Sequence, residues 1–212
     1  MKFEIKIGKR TEKFQIKEKN YLTVLLPNEV NFKLTGEEEV KRALENPIGT
    51  KRLKEIVNAN EKVVIITSDI TRPIPSNAIL PHVIKELNDG GVKKEDITII
   101  LALGSHRKHT TQEKKYLVGE EIYKTIKVID SNMDECINIG TCKNGTPLDI
   151  FRPLVKTDRI VCLGNVEYHY FAGYSGGAKA IMPGTSSYKA IQANHSNMVK
   201  EGAYAGNMDT NP

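Results

Sequence analysis

The stretch Lys62-Val63-Val64-Ile65-Ile66-Thr67-Ser68-Asp69-Ile70-Thr71-Arg72-Pro73 decides the fold. Four consecutive apolar residues do not suit a strand with one wet face; they suit a parallel strand covered on both faces. The run ends abruptly in the polar segment Asp69 to Arg72, and the period then changes. Ile79, Val83, Ile84 and Leu87 recur at helical spacing behind Ser76, a plausible cap, and Gly90-Gly91 closes the helix. A second apolar run, Ile97 to Leu103, empties into Gly104-Ser105-His106-Arg107. Thr110-Thr111-Gln112-Glu113 then has the form of a capping box opening another helix. Strand, helix, strand, helix in that order predicts an α/β fold: a Rossmann-like, mostly parallel sheet flanked by helices.

Downstream, Glu120 to Ile126 reads as a short helix and Lys127 to Asp130 as a short strand. Asp134 to Cys142 and Thr146 to Ile150 flank Lys143-Asn144-Gly145, a type I′ hairpin signal, and this hairpin is expected as an antiparallel addition to the sheet. Arg159 to Leu163 is a third strongly apolar strand. Upstream, Phe3 to Ile7 and Lys13 to Ile16 alternate about a turn at Gly8-Lys9-Arg10, which predicts a small β element, with Tyr21 to Leu26 as a further strand. Thr35-Gly36-Glu37-Glu38 predicts a helix to about Asn46, and Thr50 a second through Val57. The expected organisation is one domain over 1–212, with the β-hairpin and helices in 1–60 and the α/β core in 61–212.

The third strand opens into Glu167-Tyr168-His169-Tyr170-Phe171-Ala172-Gly173-Tyr174-Ser175-Gly176-Gly177-Ala178-Lys179. Gly173, Gly176 and Gly177 permit backbone angles closed to other residues. Successive N–H groups in such a turn, followed by a helix start, form a concave site for an anion, most often phosphate. Lys179 would stand at its mouth, able to neutralise phosphate or, if desolvated, to act as a nucleophile. A Walker loop needs Gly at 178 and Ser or Thr at 180, and the chain has Ala178 and Ala180, which argues against an ordinary NTPase. A surface loop can share this composition, and a core histidine can sit between two tyrosines. What favours function is the coincidence of three strand ends. Asp69 to Arg72, His106 and His169 each follow an apolar run, and the carboxyl ends of parallel strands form a common crevice. Two histidines from separate strand ends can serve a bound molecule as acid and base, and an arginine can clamp a carboxylate. His82 and His109 are expected to be exposed bystanders.

Composition narrows the classes. Lys and Arg number 31 against 26 Asp and Glu, a formal charge of +5 spread along the chain without a basic, aromatic-laced stripe, so nucleic acid is not an expected partner. No run approaches membrane-spanning length and the amino terminus lacks an apolar signal core, so no membrane partner and a cytoplasmic location are expected. The cysteines, Cys136, Cys142 and Cys162, lack metal-ligand spacing and fit a reducing compartment, with Cys162 a small buried hydrophobe.

Taken together, Ser68-Asp69-Ile70-Thr71-Arg72-Pro73, Gly104-Ser105-His106-Arg107, Glu167-Tyr168-His169 through Lys179 to Met182-Pro183-Gly184, and Asn194-His195-Ser196-Asn197-Met198 resemble the lactate racemase family that uses a nickel-pincer nucleotide. The resemblance runs from about Asp69 to the last residue. It implies a racemase or epimerase acting on lactate or a related 2-hydroxy acid. It also implies a cofactor, nickel pyridinium-3-thioamide-5-thiocarboxylic acid mononucleotide, tethered to Lys179. By the same resemblance His106 and His169 are the paired proton donors and acceptors, and His195 is the nickel ligand. Asp69, Ile70, Thr71, Arg72, Ser175, Gly176 and Gly177 contact the cofactor, Arg72 also lies near substrate, and separate biosynthetic enzymes load the site. The family carries a second domain after this one, so the sequence is expected to be a truncated form of a longer chain, with an empty site and little activity alone. Two other classes stay open: a zinc hydrolase with His106, His169 and His195 as ligands to one ion, and a phosphate- or nucleotide-binding module without catalysis.

Overall fold

The structure is a computed structural model describing residues 1–8, 10–72 and 74–212; Lys9 in the expected hairpin turn and Pro73 at the end of the first strand-end loop lie outside the described residues. The chain divides into two compact units, Met1–Lys33 and Leu34–Pro212.

In the first unit β1 (Lys2–Ile7) and β2 (Arg10–Gln15) pair antiparallel with Phe3 opposite Phe14. Their rings stack at 5.7 Å, and Tyr21 packs on Phe3 at the same centroid distance. The strand expected over Tyr21 to Leu26 does not form. Leu22, Leu25 and Leu26 are exposed and no neighbouring strand offers them cross-strand contacts, the source of most strand stability.

The second unit opens with α1 (Gly36–Glu45) and the single turn α2 (Leu53–Ile56), both packed on α3 (Ser76–Asp89). The expected threonine caps are absent. Thr35 makes no capping hydrogen bond, and the residue capping α2 is Arg52, whose backbone N–H donates to the Glu55 carboxylate at 2.8 Å. Ser76 does not cap α3 either, because its buried hydroxyl bonds Thr67 Oγ1 at 2.6 Å.

The sheet contains β3 (Val63–Ser68), β4 (Ile97–Ala102), β5 (Lys127–Asp130) and, described below, β8 (Arg159–Cys162), all parallel in the order β5-β4-β3-β8. As the unbroken apolar runs require, β3 is buried from Val63 to Thr67. Val63, Ile65, Ile97, Ile99 and Leu101 face one core with α3, α4 (Thr111–Val118) and, at its rim, α5 (Glu120–Thr125). The capping box at α4 is formed: Thr110 Oγ1 accepts from Glu113 N, and Glu113 accepts from Thr110 N.

Val64, Ile66 and Ile100 face the other side, onto Ile150, Phe151 and Leu154. Ile150 and Phe151 come from β7 (Pro147–Phe151), which pairs with β6 (Cys136–Thr141), and Leu154 comes from α6 (Arg152–Val155). The hairpin β6-β7 is therefore a sheet of its own and not an extension of the parallel one. Its apolar residues cover a sheet face that would otherwise meet water. Its turn is not type I′, which needs positive φ at both central residues; Asn144 lacks it, and Gly145 (φ 88°) donates to Cys142 O at 2.9 Å. The third apolar strand, β8, lies at the sheet edge with Arg159 and Ile160 exposed, so it is less buried than its sequence suggests. Cys162 is half-buried against the second core, and burial raises its thiol pKa. The strand order reverses between β3 and β8, the switch point at which open parallel sheets bind ligands.

Candidate active site

The loop after β8 folds back as a two-rung ribbon, β9 (Tyr168–His169) against β10 (Gly173–Tyr174). The Ser175 hydroxyl fastens its base, donating to Asn165 O at 2.7 Å and accepting from Glu167 N at 3.0 Å. Gly176 (φ 84°) has no room for a side chain, since a Cβ there would lie 2.8 Å from Val166. The expected helix start is a single 3-10 turn, Gly177–Ala180, which brings Lys179 inward. Gly184 O then accepts from Gly104 N and from Ser131 Oγ, tying this loop to the end of β4. Finally α7 (Tyr188–His195), capped by Ser187, ends on His195.

These segments enclose a cavity of about 390 Å³ beyond the carboxyl ends of β3, β4 and β8. Arg72, His106, His169, Ser175, Gly176, Lys179 and His195 all line it. Asp69, Ile70, Thr71 and Gly177 do not. Asp69 is buried behind His106 and accepts from its Nδ1 at 2.6 Å and from Thr71 Oγ1 at 2.8 Å. Gly177 (φ 55°) leaves open space where a side chain would be.

The cavity is electropositive. Burial, then the charges of Lys179, Arg72 and His195, hold the His169 imidazole below its usual range. Burial, then Arg72, likewise lowers the Lys179 ammonium, which favours the free amine. Such a site attracts anions and leaves its lysine more nucleophilic than a surface one. His195 donates from Nδ1 to Ile191 O at 2.8 Å, the backbone bond by which a metal-ligating imidazole frees Nε2. Among the described residues no group of three or more His, Cys, Asp or Glu is placed to hold one metal ion.

Two contributors escaped the sequence. His109 is not an exposed bystander: it is buried, bonded through Nδ1 to Asp130 at 2.7 Å, and its Nε2 accepts the Ile70 N–H at 3.1 Å. It thereby braces the Asp69–Arg72 loop from behind. His82 is also largely buried, 3.6 Å from Glu37. Phe171 stands edge-on to both His169 (4.6 Å) and His195 (5.3 Å). Its position between two histidine-bearing segments was the available signal.

Comparisons with known proteins place the chain in a family. The family model described as the lactate racemase N-terminal domain matches residues 7–206. A lactate racemase from Thermoanaerobacterium thermosaccharolyticum is 39% identical over 216 residues, covering 99% of this chain and 50% of that protein. A lactate racemase from Lactiplantibacillus plantarum is 35% identical over 201 residues, covering 91% and 46%. The solved lactate racemase apoprotein from T. thermosaccharolyticum matches with a TM-score of 0.84 at 36% identity, covering all of this chain and 51% of that one. A Thermotoga maritima crystal structure shares the fold alone, with a TM-score of 0.64 at 21% identity over 77% of this chain and 41% of its own. The chain thus spans about half the length of the curated relatives it matches. No helix among the described residues is long and apolar enough to cross a membrane. On these matches the chain belongs to the lactate racemase N-terminal domain family.

Proposed function

We propose that this chain is the cofactor-holding and proton-transferring part of a racemase or epimerase of 2-hydroxy acids, lactate or a close relative, working with a nickel-pincer nucleotide tethered to Lys179. One observation carries the reading: three imidazoles, a guanidinium and a desolvated amine line one cavity at the strand ends. The lactate racemase relatives supply the substrate class.

The residues fit the cofactor. The cavity has room for a flat ring and a small acid, Lys179 has the depressed basicity a tethering amine needs, and His195 has its Nδ1 satisfied and Nε2 free for a metal that imidazole suits. The open side of Gly177 leaves space for a phosphate near the turn. When bound, the group supplies the hydride chemistry that a weakly acidic α-hydrogen demands and that no side chain offers. The chain's residues do the rest. Arg72 holds the substrate carboxylate. One of His106 and His169 takes the hydroxyl proton of one enantiomer, and the other serves the oxygen of its mirror image. The ribbon 168–174 and the 3-10 turn wall the reaction from water.

The test uses full-length protein made with and without the cofactor-synthesis enzymes. Loaded protein should interconvert lactate or another 2-hydroxy acid by chiral chromatography, contain nickel, and carry a mass increment on the Lys179 peptide. Zinc without that increment, and no interconversion of any 2-hydroxy acid, would refute the reading.

A further inference from the structure

Each cavity imidazole has Nδ1 committed to a partner of fixed character. His106 Nδ1 meets the Asp69 carboxylate, which only accepts. His169 Nδ1 lies 3.3 Å from the backbone N–H of Ala172, which only donates. His195 Nδ1 meets the Ile191 carbonyl, which only accepts. A neutral imidazole carries one ring proton, so each partner dictates where that proton sits. We infer that His106 and His169 rest in opposite tautomers, His106 presenting a bare Nε2 and His169 an Nε2–H, and that Asp69 is the positioning residue that sets the difference. The tautomers follow from the contacts alone; their meaning for catalysis rests on the racemase reading above.

Asp69 acts through His106 and not on a bound group. Its side chain is 4% exposed, it does not line the cavity, and its other oxygen is held by Thr71. The two rings therefore respond differently to a proton. One arriving at His106 Nε2 leaves Nδ1–H on Asp69, so that ring keeps its anchor whether neutral or charged. At His169 the only vacant nitrogen is Nδ1, where the Ala172 N–H already points. The ring must give up that bond or turn over. His106 is thus built to accept and hold a proton with no rearrangement, and His169 to offer a hydrogen bond until something moves. For mirror-image acids the equilibrium constant is one, so kcat/KM must be equal in the two directions. The inequality of the rings then appears as kcat and KM that differ between enantiomers by a common factor.

The experiment begins with imidazole nitrogen NMR of this chain at alkaline pH, the signals assigned with His106→Gln and His169→Gln. The expected spectrum shows hydrogen on Nδ1 of His106 and on Nε2 of His169. The same tautomer in both rings overturns the inference, and correlating each ring's signals with its own backbone resonances assigns the wild-type spectrum where a variant fails to fold. Asp69→Asn sharpens it, because the amide N–H₂ can donate to Nδ1 and push the ring proton to Nε2, the wrong-tautomer effect of an Asp-to-Asn change in a catalytic dyad. That variant should reverse His106 alone and, in the full-length loaded enzyme, lower kcat on the order of 10²-fold or more with a smaller change in KM. An unchanged His106 spectrum in a folded Asp69→Asn chain sinks the role of Asp69. The expected tautomers in an enzyme that never racemises would leave the assignment standing and remove the racemase reading.

Discussion

The site has two halves held by different forces. The loops after β3 and β4 are fastened by side chains: Asp69 to His106, His109 to the Ile70 amide, and Asp130 to both His109 and Lys114. The loop after β8 is fastened mostly through main-chain atoms, the Ser175 hydroxyl itself bonding only backbone groups. There the Ser175 amide bonds Glu167 O, Gly206 N bonds Gly173 O, and positive-φ glycines turn the corners. The first half is rigid because buried polar groups would be costly to leave unpaired. The second is rigid because only glycine fits. Polar substitutions should therefore break the first half, and an added methyl the second.

The largest effect is expected where the halves must act together. His106→Ala and His169→Ala, in full-length loaded protein, should each cut interconversion by about 10²- to 10⁴-fold, the usual contribution of a general acid or base. Both directions should fall together under chiral chromatography, since one ring cannot serve both hands. A variant that keeps wild-type kcat would remove that ring from the reaction.

Next is the side-chain half. Asp130, 7% exposed, receives His109 Nδ1 at 2.7 Å and the Lys114 ammonium at 2.9 Å. Asp130→Ala leaves both partners unanswered, and removing one member of a buried charge network costs about 3–5 kcal/mol. A urea titration followed by circular dichroism should show it as a lower midpoint at unchanged slope. Hydrogen exchange at the Ile70 amide should quicken in step, because His109 would lose the carboxylate that orients its ring.

The main-chain half should answer to one methyl group. A Cβ on Gly173 would lie 2.1 Å from Asn207 O, at a φ of 75° that L-residues avoid. Strain of this kind is about 1–3 kcal/mol, so Gly173→Ala should lower the urea midpoint less than Asp130→Ala and open the 163–175 loop to protease first. Equal proteolysis of that loop in both variants would erase the distinction between the halves.

This contrast also explains what the sequence disclosed. The runs Val63 to Ile66 and Ile97 to Leu103 are legible because strands buried on both faces admit few polar residues, and the convergence of Arg72, His106 and His169 follows from parallel topology. The glycine corners were legible too, since positive φ selects for glycine. The side-chain half was not. His109 and Asp130 are 21 residues apart and meet only because β4 and β5 are neighbours in the sheet. Asp69 reads as a ligand contact in a linear motif, because a motif does not reveal which way a side chain turns. The hairpin over Cys136–Phe151 was read correctly as a hairpin and wrongly as a sheet extension, because alternation fixes a strand's faces and not which element covers them.

The smallest expected effect separates the two causes acting on Lys179. Burial is the larger and Arg72 the smaller, and both favour the free amine. At any pH below the ordinary lysine value of 10.5 a depressed pKa gives a greater unprotonated fraction, so trace acylation should show the Lys179 rate rising at lower pH than that of an ordinary lysine. Arg72→Ala removes a neighbouring positive charge, which raises the Lys179 pKa and shifts its rate profile to higher pH. The shift should be partial, because the β8 loop still buries the amine. A profile that returned fully to the ordinary lysine position in Arg72→Ala would mean that charge, not the closeness of the main-chain half, sets the reactivity of this amine.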